Sequence, residues 1–204
     1  MIYLVDDDEA VTDACRFLLA GMGYAVQCWN DSGAFLAQAA LDQEGVVLLD
    51  MRMPPPDGHA VFAYLRGARS TLAVVFLTGH GDVPMAVGEM KLGAVDFLQK
   101  PVAQEPLSAA IERGYQHSRQ LVDTAQIRQR YASLTAKEKQ VAALVASGSM
   151  NKDIADKLSI SLRTVEVHRA RVMEKMSVVS LAMLVSQMDK LRDNSAHQAD
   201  GGRC

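Results

Sequence analysis

Short apolar runs alternate with segments of helical periodicity throughout the first half of the chain. Four runs have the length and composition of buried strands, namely IYLV at 2–5, VVLL at 46–49, AVVFL at 73–77 and VDFL at 95–98. YAVQCW at 24–29 has a weaker strand pattern, and a short helix is predicted over residues 32–41. This alternation predicts a doubly wound α/β domain, with a five-stranded parallel sheet covered by helices on both faces.

The second half of the chain has helical patterns only. Residues 118–133 are polar and contain neither glycine nor proline, so they predict a helical linker after a first domain at 1–117. Residues 134–192 predict a second, all-α domain. The tail at 193–204 is polar and contains glycine, so we expect it to be disordered.

Charge divides the chain in nearly the same place. The formal net charge of −3 combines 10 basic and 16 acidic residues over 1–130 with 11 basic and 8 acidic residues over 131–204. A polyanion would therefore be attracted only to the second half. The three cysteines form no C-x-x-C pair, which argues against a zinc site. Neither an export sequence nor a bilayer-spanning apolar run is visible, so we expect a cytoplasmic protein without a membrane partner.

Polar residues follow the predicted strands at the point where each strand ends. These residues are Asp6 and Asp7, Asp50, Thr78 and Lys100. Because the carboxyl ends of strands in a doubly wound sheet meet at one edge, we expect the five side chains to converge. Three clustered carboxylates repel by about 4 kcal/mol per close pair at an effective dielectric of about 20. Mg²⁺ would relieve this repulsion, since it prefers carboxylate and phosphate oxygens.

This set of side chains predicts phosphoryl transfer to a carboxylate. Asp50 would be the nucleophile and form an aspartyl phosphate, while Mg²⁺ neutralises charge on the transferring group. Lys100 would offer a positive charge to the phosphate. The Thr78 hydroxyl could donate to a phosphate oxygen and move toward it. Asp8 and Glu9, by contrast, are expected to stabilise the N-terminus of the first helix.

The second half contains several candidate helix caps. Thr135 and Glu138 have the spacing of a capping box. Asn151 is predicted to cap a second short helix, Ser161 a third and Ser180 a fourth. Two short helices joined by a tight turn predict a helix-turn-helix, which is a DNA-binding motif.

The third of these helices has a face suited to a DNA major groove. Val165, Val172 and Met176 mark its buried stripe, and charged and small apolar residues occupy the opposite side. Its cations suit phosphates or guanines, and its small apolar groups suit thymine methyls. Glu166 either accepts from a cytosine amino group or pairs with a cation. The residues expected to contact DNA are Lys152, Arg163, Thr164, Glu166, Val167, Arg169, Ala170, Arg171 and Lys175.

Four strings in the first half resemble the receiver domains of FixJ-type response regulators: VDDDEAV, LLDMRMPPPDG, VVFLTGHGDVPMAV and GAVDFLQKP. The resemblance implies a CheY-like receiver in which Asp50 is phosphorylated, and Thr78 and Lys100 sense the phosphate. It implies that Phe97 is an aromatic switch residue. It also implies that the Mg²⁺ ligands are Asp6, Asp7, Asp50 and the backbone carbonyl of Arg52.

Residues 134–188 resemble the LuxR-type four-helix DNA-binding domain of FixJ and NarL regulators, beginning with LTAKEKQVAALVASGSMNKDIADKL. CWNDSGAFLAQA, STLAVVFLTGHGDVPMAV and RTVEVHRARVMEKM resemble in particular the regulators that control tetrathionate respiration. The resemblance implies a transcription factor rather than an enzyme. Its implied partners are a sensor histidine kinase, promoter double-stranded DNA, a second copy of the chain after phosphorylation, and RNA polymerase.

Two other functions fit parts of the sequence. A phosphatase of the haloacid dehalogenase type also uses an aspartate nucleophile, Mg²⁺ and a lysine. It needs a second acid two residues after the nucleophile, however, where this chain has Arg52. A receiver that acts by protein contact alone would leave the capped helices and basic face of 134–188 without a role. His59 and His80 have no cysteine or glutamate at metal-binding spacing, so they are predicted to be surface or loop residues.

Overall fold

The computed structural model describes the backbone of residues 1–79 and 83–199, and the side chains of 1–79 and 87–192. The chain divides into two compact units, Met1–Val122 and Asp123–Cys204. Within the described ranges, no helix is both long enough and apolar enough to span a bilayer.

In chain order the elements are β1 (Ile2–Val5), α1 (Glu9–Gly21), β2 (Val26–Trp29), α2 (Ser32–Gln38), β3 (Gly45–Asp50), α3 (Gly58–Gly67), β4 (Leu72–Thr78), α4 (Val83–Lys91), β5 (Asp96–Gln99), α5 (Gln104–Ala132), α6 (Ala136–Ala146), α7 (Asn151–Leu158), α8 (Leu162–Lys175) and α9 (Leu181–Ala199).

The first unit contains a five-stranded parallel sheet in the order β2-β1-β3-β4-β5. Every residue of β1, β3 and β4 is buried, so both faces of these central strands must be covered. Successive strand residues point to opposite faces, and Val47 and Leu48 accordingly belong to two different apolar clusters. The predicted doubly wound fold is confirmed.

All the regular secondary structure in the described part of the second unit is helical, as predicted. Its apolar core combines Ile127, near the end of α5, with residues of the four later helices: Val141 of α6, Ile154 of α7, Val172 of α8 and Leu184 of α9. Burial of one stripe from each helix holds the four helices together, and α6 and α7 depend on it most because they have only 11 and 8 residues.

Three of the four predicted caps in this unit form. The Thr135 amide donates to Glu138 Oε2 at 2.8 Å, and the Glu138 amide donates to Thr135 Oγ1 at 3.3 Å, which completes the capping box. Ser161 caps α8 and Ser180 accepts from the first turn of α9. The predicted cap at Asn151 is wrong, because Asn151 is the first residue inside α7 and its side chain has another partner.

The strand boundaries differ from those predicted by at most two residues, and three helix boundaries differ by more. α2 ends at Gln38 rather than near residue 41, because the next residue has an extended backbone. The predicted linker at 118–133 is not a separate element: without glycine or proline to interrupt it, it lies within the 29-residue helix α5. α9 continues to Ala199 for the same reason, so the start of the predicted disordered tail is helical. Residues 200–204 lie outside the described part.

Candidate functional site

The five polar residues predicted from the strand ends lie together at the carboxyl edge of the sheet. Lys100 Nζ lies 2.8 Å from Asp50 Oδ1 and 2.6 Å from Asp6 Oδ2. The Lys100 amide donates to the Thr78 carbonyl at 2.8 Å, which fixes the loop after β5 against the end of β4. The Asp6 side chain is 0% exposed and that of Asp50 is 7% exposed. Two carboxylates therefore share one ammonium group in a site with little access to water.

Burial controls the protonation of this cluster. It raises the pKa of Asp50 above its ordinary value. Lys100 acts to lower this pKa, whereas the neighbouring charges of Asp6 and Asp7 raise it further. Burial acts to lower the pKa of Lys100, but hydrogen bonds and charge from Asp50 and Asp6 outweigh it and leave this pKa raised. Lys100 is thus a firmly held cation, and the ionised form of Asp50 would gain from additional positive charge.

The same carboxylates fit a divalent cation. One oxygen from each of Asp6, Asp7 and Asp50 lies within 4.8 Å of the other two, which is close enough for all three to reach one ion. Among the described residues, Asp6 Oδ2 is buried and has no hydrogen bond of good geometry besides its ion pair with the Lys100 ammonium, 2.6 Å away. An all-oxygen set in which two buried carboxylates share one cation suits Mg²⁺. Arg52, whose carbonyl is the fourth predicted ligand, is exposed in the loop after β3.

Residues that sequence reasoning missed support this cluster. Asn30, just after β2, donates from Nδ2 to the Asp6 carbonyl at 2.9 Å and to Thr12 Oγ1 at 3.2 Å. Gly58, the first residue of α3, packs so closely that a Cβ atom there would overlap the carbonyl oxygen of Asp50. The glycine of the string PPPDG is the sequence signal for this close approach, whereas no local pattern points to Asn30.

The two predicted switch residues occupy neighbouring strands. Thr78 is buried, and its hydroxyl donates to the Leu98 carbonyl over a long 3.4 Å. Phe97 lies in β5, where it is half-buried against the apolar cluster that contains Phe76. In the present structure, the Thr78 hydroxyl therefore bonds to backbone next to Phe97.

A second polar contact joins α3 to α4. His59 Nδ1 contacts Glu89 Oε1, and the Glu89 side chain is 6% exposed, with its other oxygen buried and without a hydrogen-bond partner among the residues whose side chains are described. His59 itself is 55% exposed, in agreement with a surface histidine. The other predicted surface histidine, His80, lies outside the described residues.

The face of α8 predicted to enter a major groove is open to solvent. Arg163, Glu166, Val167, Ala170 and Arg171 are all exposed, whereas Val165 and Val172 on the other side are buried. Lys152 is exposed on α7. The helical periodicity therefore predicted correctly which of these α8 residues are buried and which are exposed.

Three other residues predicted to contact DNA have partners within the second unit. Lys175 Nζ lies 2.7 Å from Glu138 Oε2, and this pairing, together with the Thr135 amide, lowers the pKa of Glu138 to about 2. Arg169 Nη1 donates to Asn151 Oδ1 at 2.8 Å. The Thr164 hydroxyl lies 2.8 Å from Ser161 Oγ at the start of α8.

A doubly wound domain with a carboxylate cluster of this kind, followed by a helix-turn-helix, defines a two-component response regulator with a DNA-binding domain. Residues 2–112 match the response regulator receiver domain family, and residues 132–188 match the luxR family of bacterial regulatory proteins. The chain belongs to the response regulators that combine these two domains, which are transcription factors rather than enzymes. Both predicted resemblances are confirmed.

The similarity to individual relatives extends across both domains. The chain is 60% identical over 190 residues to the tetrathionate response regulatory protein TtrR of Salmonella typhimurium, covering 93% of this chain and 92% of that protein. It is 43% identical over 188 residues to FixJ of Rhizobium meliloti, with 90% and 92% covered. The solved structure of the response regulator StyR matches with a TM-score of 0.66, 41% identity, and coverage of 93% and 98%. Full-length FixJ from B. japonicum matches with a TM-score of 0.53, 39% identity, and coverage of 93% and 95%.

Proposed function

We propose that a sensor histidine kinase phosphorylates Asp50, and that this modification strengthens the binding of the chain to promoter DNA. The observation that carries the proposal is the shared ion pair at the sheet edge, where Lys100 lies within 2.8 Å of both Asp50 and Asp6. A carboxylate nucleophile, two further carboxylates for a metal ion and a fixed ammonium group are the components that phosphoryl transfer to aspartate requires.

In the proposed reaction, an oxygen of Asp50 attacks the phosphorus of the donor, and the bond from phosphorus to the donor's leaving atom breaks. Asp6, Asp7, Asp50 and the carbonyl of Arg52 would hold Mg²⁺, which supplies positive charge to the phosphoryl oxygens. The Lys100 ammonium, released from Asp50, would then bind a phosphate oxygen.

The response would begin at Thr78. Its hydroxyl would leave the Leu98 carbonyl and donate to the phosphate, and Phe97 would turn toward the space left behind. Two phosphorylated receivers would form a two-fold dimer. The dimer would present two copies of α8 to half-sites that are about one DNA turn apart, roughly 34 Å.

The DNA interface would consist of the exposed face of α8 together with Lys152 and the partnered residues Thr164, Arg169 and Lys175. Arg163 and Arg171, like Lys152, Arg169 and Lys175, would reach phosphates or guanines, and Val167 and Ala170 would contact thymine methyls. Bound at a promoter in the cytoplasm, the dimer would act on RNA polymerase. The 60% identity to TtrR supports tetrathionate respiration genes as the regulated set.

The test is intact mass after incubation with a small acyl phosphate and Mg²⁺, with DNA binding measured on the same samples by fluorescence anisotropy. We expect wild type to gain one phosphoryl group and bind DNA more tightly, and Asp50→Asn to do neither. Asp57→Asn is the matched control, because Asp57 caps α3 outside the cluster and asparagine also caps helices. A phosphoryl group on Asp50→Asn, or none on wild type, would refute the proposal.

A further inference from the structure

Asn151 makes a bond that the sequence pattern of α7 does not explain. It stands at the N-terminus of a helix, where asparagine usually caps, yet the N-cap position belongs to Met150. Its Oδ1 atom instead accepts a hydrogen bond of 2.8 Å from Arg169 Nη1, 18 positions further along the chain. Both side chains are partly buried. The bond therefore ties the first helix of the helix-turn-helix to the middle of the second.

The chemistry of this partner distinguishes Arg169 from Lys175. Lys175 is paired with the carboxylate of Glu138, which neutralises it. Arg169 is held by a neutral amide oxygen, and no carboxylate lies within ion-pair distance of it in the part of the second unit whose side chains are described. A guanidinium has five N–H donors. Arg169 therefore keeps its full positive charge and most of its donors while its position is fixed.

We propose that Asn151 is a positioning residue for DNA binding, which holds the Arg169 guanidinium in place for a phosphate without neutralising it. The inference rests on the proposed DNA-binding function. A long flexible side chain loses rotamer freedom when it binds DNA, and a side chain that is already tethered loses less. An aspartate at position 151 would keep the shape and the acceptor but would cancel the charge, so the amide is the group that the role requires.

The experiment measures the affinity of the full-length chain for a labelled duplex of about 30 base pairs, roughly three turns, chosen by wild type from a random pool. Variants are Asn151→Ala, Asn151→Asp, Arg169→Ala and the double variant Asn151→Ala/Arg169→Ala. We expect Arg169→Ala to weaken binding about tenfold, the order expected for a charge-assisted hydrogen bond. Asn151→Ala should weaken it about threefold, a fraction of that effect, because the guanidinium remains but is no longer held.

The decisive result is the dependence of one substitution on the other. Asn151→Ala should have no further effect once Arg169 is alanine, but should keep its full effect in an Arg171→Ala background, since Arg171 is exposed on α8 and not bonded to Asn151. Asn151→Asp should bind more weakly than Asn151→Ala, with a salt slope lower by about 0.9, as for the loss of one phosphate contact.

An equal effect of Asn151→Ala in the wild-type and Arg169→Ala backgrounds would overturn the inference and indicate a structural role. Should Asn151→Ala fail to fold, Asn151→Asp decides alone, because wild-type affinity in that isosteric variant would also overturn it. If the wild-type chain selects no duplex at all, the proposed function has failed together with the inference. The two failures are therefore distinguishable.

Discussion

Replacing Lys100 with methionine would leave two buried carboxylates without their shared cation. In the wild-type protein, its ammonium lies 2.6 Å from Asp6 and 2.8 Å from Asp50, and the lysine side chain is 22% exposed. Methionine keeps most of the aliphatic length and removes the charge together with its N–H donors. The substitution therefore isolates the electrostatic contribution of this group.

The magnitude follows from the spacing of the carboxylates. At the 4.8 Å limit that the cluster sets, two like charges repel by about 3.5 kcal/mol at an effective dielectric of about 20. Breaking a buried ion pair by removal of one partner destabilises proteins by about 3–5 kcal/mol. We therefore expect Lys100→Met to lose about 3 kcal/mol of unfolding free energy in the presence of a chelator, which lowers the midpoint temperature by about 10 °C.

Two conditions should restore stability to the Lys100→Met variant. Saturating Mg²⁺ should recover about 2–3 kcal/mol, since a ligand at about 100 times its Kd stabilises by about 2.7 kcal/mol. Lowering the pH should also reduce the difference in stability between the Lys100→Met variant and wild type. The pKa of Asp50 is raised in the folded protein, so its ionisation opposes folding as pH rises above about 4, and this penalty disappears when pH falls below that value.

Thermal and urea unfolding of the variant and wild type, each with chelator and with Mg²⁺, provide the measurement. Lys91→Met, at an exposed lysine that ends α4, is the control and should change stability by less than about 0.5 kcal/mol. An unchanged stability of Lys100→Met in chelator would contradict the electrostatic account. A deficit that Mg²⁺ leaves untouched would contradict the metal site.

Three further substitutions probe contacts elsewhere in the two domains. Gly58→Ala should lower the free energy of unfolding by about 1–3 kcal/mol, because its Cβ would overlap the backbone at the end of β3. Gly67 in the same helix has open space around it, so Gly67→Ala should not cause this loss. Equal losses for the two variants in urea unfolding would contradict the reasoning. His59→Ala should cost about 1–3 kcal/mol by leaving Glu89 buried without a partner, and a neutral result would mean that the contact contributes nothing. Glu138→Gln should cost about 1–2 kcal/mol near neutral pH. Because the pKa of Glu138 is lowered to about 2 from 4.5, that deficit should vanish as pH falls from about 4.5 toward 2, and a pH-independent deficit would contradict the assignment.

The sequence was most informative where a residue's position follows from a repeating pattern. Buried parallel strands are continuous apolar runs, so the ends of β1, β3, β4 and β5 could be located closely. Once those ends were known, topology alone placed Asp6, Asp50, Thr78 and Lys100 at one edge. The exposed face of α8 followed in the same way from its helical period.

Pairs between distant elements could not be predicted, because no local pattern encodes them. Asn30 follows β2 and Asp6 follows β1, and a hydrogen bond joins the two residues. The amide of Asn30 has no characteristic sequence context. Asn151 is an example. Asparagine favours the N-cap position of a helix, but the Asn151 side chain bonds to Arg169 instead, and α7 begins one residue earlier than predicted. Local preference was overridden there by a tertiary partner.

The long hydrogen bond from the Thr78 hydroxyl to the Leu98 carbonyl determines how strongly the proposed switch is held in its unphosphorylated conformation. At 3.4 Å it is near the limit for a hydrogen bond between these groups, and its net contribution is about 1 kcal/mol or less. Because Thr78 is buried, releasing its hydroxyl without a phosphate would leave a donor and a carbonyl unpaired at a cost of about 1–3 kcal/mol, so between roughly one molecule in six and one in 150 would release it at any moment. An unphosphorylated population would then already sample the first step of activation, and a basal level of transcription would be a built-in property of this receiver, adjustable by any change that shortens or lengthens this single bond.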